Sequence, residues 1–341
     1  MARCVLALLP LCAACPALSS ALTTQEILAI ESGLDVSLSA SEKSDLALVV
    51  KDGDSLPQWR EEAYARIEHH RKANLDIRVL DEGGVPVEGA RVDVTLREND
   101  FRFGGVVRAE DVTDARGNLA AYGVTTARWQ RLVREMFTSL GCGNNFKPKL
   151  GFLHQYLPDF LHWASNESID VRGHLLMWPG GGHLADLDDP DAVSGEDYGF
   201  HLSRGNATPF GSFNVLGAVD VYKNSSRTQA DKAALKAVID EEIRQWSQLW
   251  DVYEWDVMNE VLGNTLLQEI LGFDEMAEWF KIAEVNKVRP ECGLFINEFQ
   301  IISAQHNDGG VSYDSRRSTY FDRIDSVIAN GGPISGIGFQ S

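Results

Sequence analysis

The chain has 341 residues, of which 44% are hydrophobic and 24% charged, and its formal net charge at pH 7 is −19. This apolar content over this length can build a large core without a framework of disulfides. The acidic balance opposes nucleic acids and anionic membranes as partners, but it leaves a neutral ligand such as a sugar open.

The first 21 residues predict a secretory signal peptide. One Arg precedes an apolar stretch, and Ser19-x-Ala21 suits the small-residue cleavage rule. The stretch is too short to span a bilayer, and no later stretch is apolar for long enough. We therefore predict a secreted, extracellular protein without a membrane anchor. Three glycosylation sequons fit that route, at Asn166, Asn206 and Asn224.

The cysteines do not predict a disulfide scaffold. Three of the five lie inside the predicted signal peptide, at Cys4, Cys12 and Cys15. The other two, Cys142 and Cys292, can pair only if the fold brings them together, which their spacing does not show. Their pairing is left open.

The predicted mature chain begins with a mixed, polar segment, residues 22–65, to which the sequence assigns no role. A helical pattern strengthens from Trp59 to Arg71. Alternating apolar and polar residues around a Gly-Gly turn then predict a β-hairpin, with arms at Leu75–Leu80 and Ala90–Leu96.

From Phe103 onward, strand and helix patterns alternate. Strands are predicted in F-G-G-V-V, F-T-S-L-G, V-R-G-H-L-L-M-W, W-D-V-M-N-E, G-L-F-I-N-E-F and I-S-G-I-G-F-Q. Helices are predicted between them, the first at Ala127–Met136 and the second from Pro158 through Trp163. A third is capped by Thr228 and Asp231 and has an apolar face formed by Leu235, Ile239, Ile243 and Trp246. A fourth precedes G-L-F-I-N-E-F, and a fifth has Phe321, Ile324 and Ile328 on one face. This alternation predicts an α/β fold with a parallel sheet, either a (β/α)8 barrel or a doubly wound sheet. A Gly- and Asp-rich insertion, Gly180–Arg227, interrupts it without a predicted role.

Polar side chains recur where the predicted strands end. Each alone has an ordinary explanation, such as a helix cap for Glu260, a hydrogen-bonded core residue for His174 or simple packing for Trp178. The ends of all barrel strands converge on one site, whereas an open sheet concentrates its ligands at one switch point. The recurrence therefore favours a barrel and a shared site, formed by Asn144, Lys147, His174, Trp178, Asn259, Glu260, Asn297, Glu298 and Gln340.

Several chemistries lack their motifs. The sequence has no H-E-x-x-H and no H-x-H, and the adjacent His69 and His70 precede the barrel, so we predict no metal. It has no G-x-S-x-G for a nucleophilic serine, no phosphate-binding glycine loop and no basic stripe for nucleic acid. We predict no cofactor. Hydrolysis of a sugar by two carboxylates remains, since amide, charged and indole groups suit a sugar ring.

Four motifs in order resemble glycoside hydrolase family 10, the retaining endo-1,4-β-xylanases. V-R-G-H-L-L-M-W resembles the family's R-G-H-T-L-V-W, and W-D-V-M-N-E resembles W-D-V-V-N-E. L-F-I-N-E-F resembles L-Y-I-N-D-Y, and G-I-G-F-Q-S resembles G-I-G-L-Q-S-H. The resemblance covers about Arg66 to the end, residues 66–341. It implies a (β/α)8 TIM barrel, here incomplete with about six of eight strands, and a polysaccharide substrate, xylan or a related β-1,4-glycan. We expect a monomer.

The resemblance also assigns roles to individual residues. Glu260 is the general acid/base, and Asn259 binds the sugar 2-hydroxyl. G-N-N-F-K resembles the family's E-N-E-M-K, which makes Asn144 and Lys147 hold the sugar at the cleavage point. The remaining substrate-binding residues by this resemblance are His174, Trp178 and Gln340.

Departures from the family pattern leave the glycan and the activity open. Gly143, Pro148, Pro179 and Phe299 replace a Glu, a Trp, a common His and a Tyr of the family, so another β-linked glycan is an alternative substrate. The family's nucleophile, a Glu on the seventh strand, has no counterpart in this sequence, and we interpret Glu298 as structural. Two hypotheses follow: an endo-xylanase with an incomplete chain, or a non-catalytic protein that binds xylan.

Overall fold

The computed structural model describes residues 3–5, 58–70, 72–95, 101–181, 183–189, 199–205, 213–301 and 313–340. The chain divides into two compact units, Met1–Thr95 and Leu96–Ser341. Most of the predicted N-terminal segment, residues 22–57, lies outside the described residues.

The first unit contains strand β1 (Arg3–Val5), helix α1 (Gln58–His70) and strand β2 (Arg78–Leu80). Helix α1 confirms the helical pattern predicted from Trp59. Strand β1 pairs antiparallel with β2, with Cys4 opposite Val79. This strand lies within the residues that the sequence predicts to be a signal peptide.

The predicted hairpin is right in its turn and wrong in its second arm. The amide of Gly84 donates to the carbonyl of Asp81 (3.1 Å), and that of Val87 donates to the carbonyl of Val79 (2.9 Å). The returning arm is therefore residues 85–87, not 90–96; residues 90–95 form no strand, and Leu96 lies outside the described residues. The Asp81 carboxylate tightens the turn, because it accepts from the amides of Gly83 and Val85, each at 2.9 Å.

The second unit alternates strands and helices. Its strands are β3 (Gly104–Val106), β4 (Ser139–Gly141), β5 (Asp170–Met177), β6 (Glu254–Asn259), β7 (Gly293–Phe299) and β8 (Gly336–Gln340). Its α-helices are α2 (Ala109–Val112), α3 (Thr126–Met136), α4 (Leu157–Asn166), α5 (Val215–Lys223), α6 (Gln229–Leu249), α7 (Leu266–Leu271), α8 (Glu275–Asn286) and α9 (Tyr313–Ala329). Short 3-10 helices span Leu119–Tyr122, Pro148–Tyr156 and Leu184–Asp188.

The six strands form one sheet in the order β3-β4-β5-β6-β7-β8, and every neighbouring pair is parallel. Each strand therefore pairs with the next along the chain, with at least one helix between them. A doubly wound sheet reverses its strand order at a switch point, and this sheet has none. The fold is α/β, and its strand order is that of six consecutive strands of a (β/α)8 barrel, as predicted.

Helix α6 carries much of the core. Its N-terminus has the predicted capping box: Asp231 N donates to Thr228 Oγ1 (3.3 Å), and Thr228 N donates to Asp231 Oδ2 (2.7 Å). Its predicted apolar face is buried and consists of Leu235, Ile239, Ile243 and Trp246. Removal of this face from water stabilises the unit by roughly 1.5–3 kcal/mol per large side chain.

Helix α9 buries a different face from the one predicted. Tyr320, Ile324 and Val327 are buried, whereas Phe321 and Ile328 are 48% and 55% exposed. The hydroxyl of Tyr320 donates to the carbonyl of Ile296 in β7, at 2.8 Å. A buried tyrosine hydroxyl needs such a hydrogen-bond partner, and the apolar pattern of the helix alone does not predict it.

The two cysteines outside the predicted signal peptide, Cys142 and Cys292, are free thiols, and both are buried. Of the three sequons, Asn166 and Asn224 are exposed, and Asn206 lies outside the described residues. No helix in the described ranges has the length and apolarity needed to cross a membrane.

Candidate active site

A cavity of about 760 Å³ lies against the parallel sheet, lined by residues from β3 through β8 and the loop after β4. Five of the predicted site residues line it: Asn144, Lys147, His174, Asn297 and Gln340. The sheet is parallel, so the ends of its strands bring these residues together although they are up to 196 positions apart (340 − 144). The cavity lining also includes Arg172 and Asp256.

Glu260 follows strand β6 and is half-buried. Its Oε2 accepts hydrogen bonds from Trp178 Nε1 (2.9 Å) and Asn264 Nδ2 (3.3 Å). Its amide donates to the carbonyl of Asn297 (2.8 Å), which ties the residue to strand β7. The next helix, α7, begins at Leu266 after Thr265, so the carboxylate does not cap it.

The backbone of Glu260 is in the left-handed region, with φ 57°. A non-glycine residue there costs of order 1 kcal/mol or more, and it persists where surrounding bonds hold it. The bonds of its backbone to Asn297 and Asn264 are of that kind. This conformation turns the chain sharply at the end of β6.

Lys147 connects Glu260 with the cavity, since Glu260 and Trp178 are not part of the cavity lining. Its Nζ lies 4.3 Å from the centroid of the Trp178 ring. Burial lowers the pKa of Lys147, and the charge of Glu260 opposes that effect. An ammonium group beside a carboxylate and an indole face is well placed to meet a polar ligand.

Two buried side chains, Trp246 and His154, hold the loop that carries Lys147. Trp246 Nε1 donates to the carbonyl of Phe146 (2.7 Å), and His154 Nε2 lies 2.9 Å from the carbonyl of Lys147. Burial lowers the pKa of His154, so its ring is neutral and that nitrogen can act as the donor.

Neighbouring asparagines in this loop have opposite environments. Asn145 is buried, with Nδ2 donating to Glu110 Oε2 (2.8 Å) and Oδ1 accepting from the amide of Ala109 (3.2 Å). Asn144 is exposed and lines the cavity. The loop therefore presents the asparagine that the sequence singled out.

His174 belongs to a charged cluster on strands β5 and β6. Its Nδ1 lies 2.7 Å from Asp256 Oδ2, and Arg172 donates to Asp256 Oδ1 (2.5 Å) and Glu254 Oε2 (2.8 Å). Burial opposes ionisation of Asp256, but His174 and Arg172 outweigh it and lower the pKa of this carboxyl. The cluster orients the His174 ring in the cavity wall.

Asn259 is fully buried and connects three strands. Its Oδ1 accepts from Asn297 Nδ2 (2.9 Å) and from Gln340 Nε2 (2.7 Å). Among the described residues its Nδ2 has no partner. Asn259 thus holds Gln340 in the cavity wall, and its predicted contact with a sugar hydroxyl stays a prediction.

Glu298 is fully buried and bonded on both oxygens. It accepts from the amides of Leu262 and Phe299, each at 2.9 Å, and from Arg316 at 3.0 Å. Burial raises the pKa of Glu298 to about 7 against these donors. Through Leu262 it supports the turn after Glu260, which agrees with a structural role.

One contact of the site, between His201 and Trp178, was not predicted from the sequence. His201, in the Gly180–Arg227 insertion, stacks on Trp178 with 3.3 Å between ring centroids and 7° between ring planes. Burial, together with Lys149 and Lys147, lowers the pKa of His201 to about 3. It belongs to no motif, so the sequence carried no signal for it. Asn264 was also missed, although it lies only four residues after Glu260 (264 − 260).

Across the described ranges, no group of three or more His, Cys, Asp or Glu side chains is arranged to hold a metal ion. The site is built from amide, ammonium, imidazole, indole and carboxylate groups. Such groups recognise hydroxyl-rich ligands by hydrogen bonds and by stacking.

Comparisons with known proteins agree with these features. Residues 220–341 match the model of the family described as glycosyl hydrolase family 10. The chain is 22% identical over 285 residues to endo-1,4-beta-xylanase 1 of Arabidopsis thaliana, covering 81% of this chain and 25% of that protein. It is 26% identical over 127 residues to the anti-sigma-I factor RsgI6 of Acetivibrio thermocellus, covering 36% of this chain and 15% of that protein.

Two solved structures are also similar. An endoxylanase of glycoside hydrolase family 10 from a sugarcane soil metagenome has a TM-score of 0.44 and 19% identity, over 71% of this chain and 58% of its own. An intracellular xylanase of Thermoanaerobacterium saccharolyticum, solved as a mutant with xylotriose, has a TM-score of 0.44 and 21% identity, over 70% and 63%. The chain thus spans a quarter or less of the two curated relatives and about three fifths of these structures.

The fold itself is α/β, with the strand order of six consecutive strands of a (β/α)8 barrel. Over residues 220–341 the chain is similar to glycosyl hydrolase family 10.

Proposed function

We propose that this protein is a secreted retaining endo-1,4-β-xylanase that cleaves internal β-1,4 linkages of xylan, with Glu260 as general acid/base. The observation that carries the proposal is the position of Glu260: half-buried, bonded to Trp178 and Asn264, and joined to the cavity by Lys147. A carboxyl group held in this way can deliver a proton to a leaving oxygen.

The hydrogen bonds of Glu260 leave one of its oxygens for the reaction. Trp178 and Asn264 both contact Oε2, and among the described residues no hydrogen bond reaches Oε1. In the first step of a retaining mechanism, Glu260 protonates the glycosidic oxygen while a nucleophilic carboxylate, which the described residues do not supply, bonds to the anomeric carbon and the sugar leaves. In the second step Glu260 removes a proton from the water that displaces this carboxylate from the anomeric carbon.

The cavity supports a sugar as the ligand. Asn144, Lys147, His174 and Gln340 line it, and they offer amide, ammonium and imidazole groups to hydroxyls. Xylan is the proposed glycan because the Arabidopsis relative is named as an endo-1,4-beta-xylanase and the Thermoanaerobacterium xylanase was solved with xylotriose.

A second candidate function is glycan binding without catalysis. A retaining glycosidase needs a nucleophilic carboxylate about 5–5.5 Å from the acid. Two carboxylates of the described residues neighbour the site, and both are engaged: Asp256 by His174 and Arg172, and Glu298 by Arg316 and two backbone amides. Neither is free to attack a sugar, which favours binding as the alternative.

Assays of the full chain with xylan and xylotriose separate the two functions. For the enzyme, we expect xylan turnover that Glu260→Gln lowers by about 10²–10⁴-fold while xylotriose affinity stays within a few-fold. Glu135→Gln, an exposed carboxylate on α3, is the matched control and should leave turnover unchanged. Saturable binding without turnover would support the second function, and neither binding nor turnover at millimolar ligand would reject both.

Substrate range and secretion are tested separately. Turnover of β-glucan or mannan above that of xylan would reassign the glycan. When the full chain is expressed in a secreting eukaryotic cell, the protein recovered from the culture medium should start after Ala21. It should also lose mass on deglycosylation. Retention of the unprocessed chain inside the cell would contradict the proposed secretion. A mass above one chain in solution would contradict the proposed monomer.

A further inference from the structure

The Gly180–Arg227 insertion reaches the site through His201. The imidazole lies flat on the Trp178 indole, with 3.3 Å between centroids and 7° between planes. The same indole donates from Nε1 to Glu260 Oε2 at 2.9 Å. His201 therefore contacts the Trp178 indole directly. The orientation of this indole determines whether Nε1 can donate to Glu260.

The segment that carries His201 is fixed to the helical layer. The hydroxyl of the buried Ser203 donates to the buried Glu242 of helix α6 and accepts from the amide of Val215 (3.0 Å). The carbonyl of Ser203 accepts from the amide of Leu216 (3.0 Å). Three hydrogen bonds thus secure the chain two residues after His201, so the imidazole is presented from a rigid support.

The same segment also approaches the second donor to Glu260. A Cβ built on Gly181 would lie 3.1 Å from Phe200 Cβ and 3.8 Å from Asn264 Oδ1. Asn264 Nδ2 is the other group that donates to Glu260 Oε2. Both donors therefore lie close to residues of the insertion.

The charge state of His201 suits a packing partner rather than an ion. Its pKa is about 3, because of burial and of the ammonium groups of Lys149 and Lys147, so its ring is neutral at ordinary pH. A neutral ring stacks on an indole without adding a positive charge beside Glu260. An imidazolium at this position would also face Lys147, which lies 4.3 Å from the same indole.

We propose that His201 is a positioning residue for Glu260: its ring holds the Trp178 indole so that Nε1 stays bonded to the carboxylate. The proposal rests on the proposed role of Glu260 for its catalytic meaning, but not for the contact itself. It gives the insertion a role in the site. Phenylalanine at position 201 keeps a flat ring, and alanine removes it.

The test is the indole N–H signal of Trp178 in nitrogen-15 spectra of the full chain. The chain has eight tryptophans, and Trp178→Phe identifies the signal by its loss. We expect His201→Ala to move this signal and to speed its hydrogen exchange about tenfold or more. His201→Phe should restore both, and His162→Ala, an exposed histidine on α4, should leave both unchanged.

A His201→Ala signal identical to that of the unmodified protein would overturn the proposal. So would a shift that His201→Phe fails to restore while its melting temperature stays unchanged. If xylan turnover is present, His201→Ala should lower kcat about tenfold with little change in KM. Absence of turnover in the unmodified protein would reject the proposed enzyme and leave the indole signal as the measure of this contact.

Discussion

Trp178 Nε1 lies 2.9 Å from Glu260 Oε2, and this bond joins the ends of strands β5 and β6. Lys147, from the loop after β4, lies against the same indole. The Trp178 indole therefore contacts both Glu260, the proposed acid, and Lys147, which lines the cavity proposed to hold the sugar.

Trp178→Phe should weaken catalysis without abolishing substrate binding. The phenyl ring preserves the stack on His201, but it removes the N–H donor to Glu260. A hydrogen bond to a charged group contributes about 1.5–3 kcal/mol, so we expect kcat for xylan to fall roughly tenfold to a hundredfold. Steady-state kinetics at fixed pH measure the change. An unchanged kcat would show that this donor does not act in the reaction.

Glu242→Gln should remove part of the pH dependence of stability. Burial raises the pKa of Glu242 to about 8, so the folded protein holds a proton that the unfolded chain releases near pH 4.5. Its stabilising contribution is complete below pH 4.5 and is lost as the pH rises to 8, by roughly 3–5 kcal/mol. We expect the variant to gain stability relative to the unmodified protein over that range.

The adjacent Glu241 provides the control. Its pKa is about 2, because of hydrogen bonds from Arg244 and Gln245, so it stays ionised in the folded and unfolded states above pH 5. Glu241→Gln should shift the melting temperature by a constant amount between pH 5 and 8. Parallel melting curves for Glu242→Gln and the unmodified protein over that range would contradict the assignment.

Gly173→Ala should destabilise the sheet. A Cβ at this position in β5 would lie 2.3 Å from the ring of Trp255, which is fully buried in β6 and cannot move into free space. Overpacking of this kind costs about 1–3 kcal/mol and sometimes more. Urea unfolding measures the loss. At Gly263 a Cβ would meet nothing within 4 Å, so a similar loss in Gly263→Ala would show that the contact with Trp255 is not the cause.

Asp256→Asn should destabilise the protein at neutral pH by about 3 kcal/mol, because it leaves Arg172 without a buried counter-charge and disturbs the hydrogen bond with His174. Because the folded pKa of Asp256 is depressed, its contribution is present above about pH 4 and is lost as the pH falls through the folded value. The difference in free energy of unfolding should therefore shrink in acid. The exposed pair of Asp93 is the comparison, since Asp93→Asn should cost less than about 1 kcal/mol. Equal losses for the two variants would refute the argument.

Much of the scaffold follows from local patterns. The capping box at Thr228 and Asp231, the buried stripe of α6 and the six strands of the second unit were all predicted. Each depends on residues a few positions apart, so the sequence alone contains the information. The second arm of the hairpin and the buried face of α9 were predicted wrongly. The turn depends on hydrogen bonds to the carboxylate and backbone of Asp81, and the buried face of α9 depends on the hydroxyl of Tyr320.

For the site, local patterns in the sequence show which side chains lie near the ends of the strands and therefore share one edge of a parallel sheet. Which of these side chains line the cavity depends on tertiary packing. It buried Asn259 behind Gln340, engaged Glu298 with Arg316, and brought His201 onto Trp178 from a segment without a motif. Periodicity reports on neighbours along one element, whereas burial and stacking depend on atoms supplied by several elements at once.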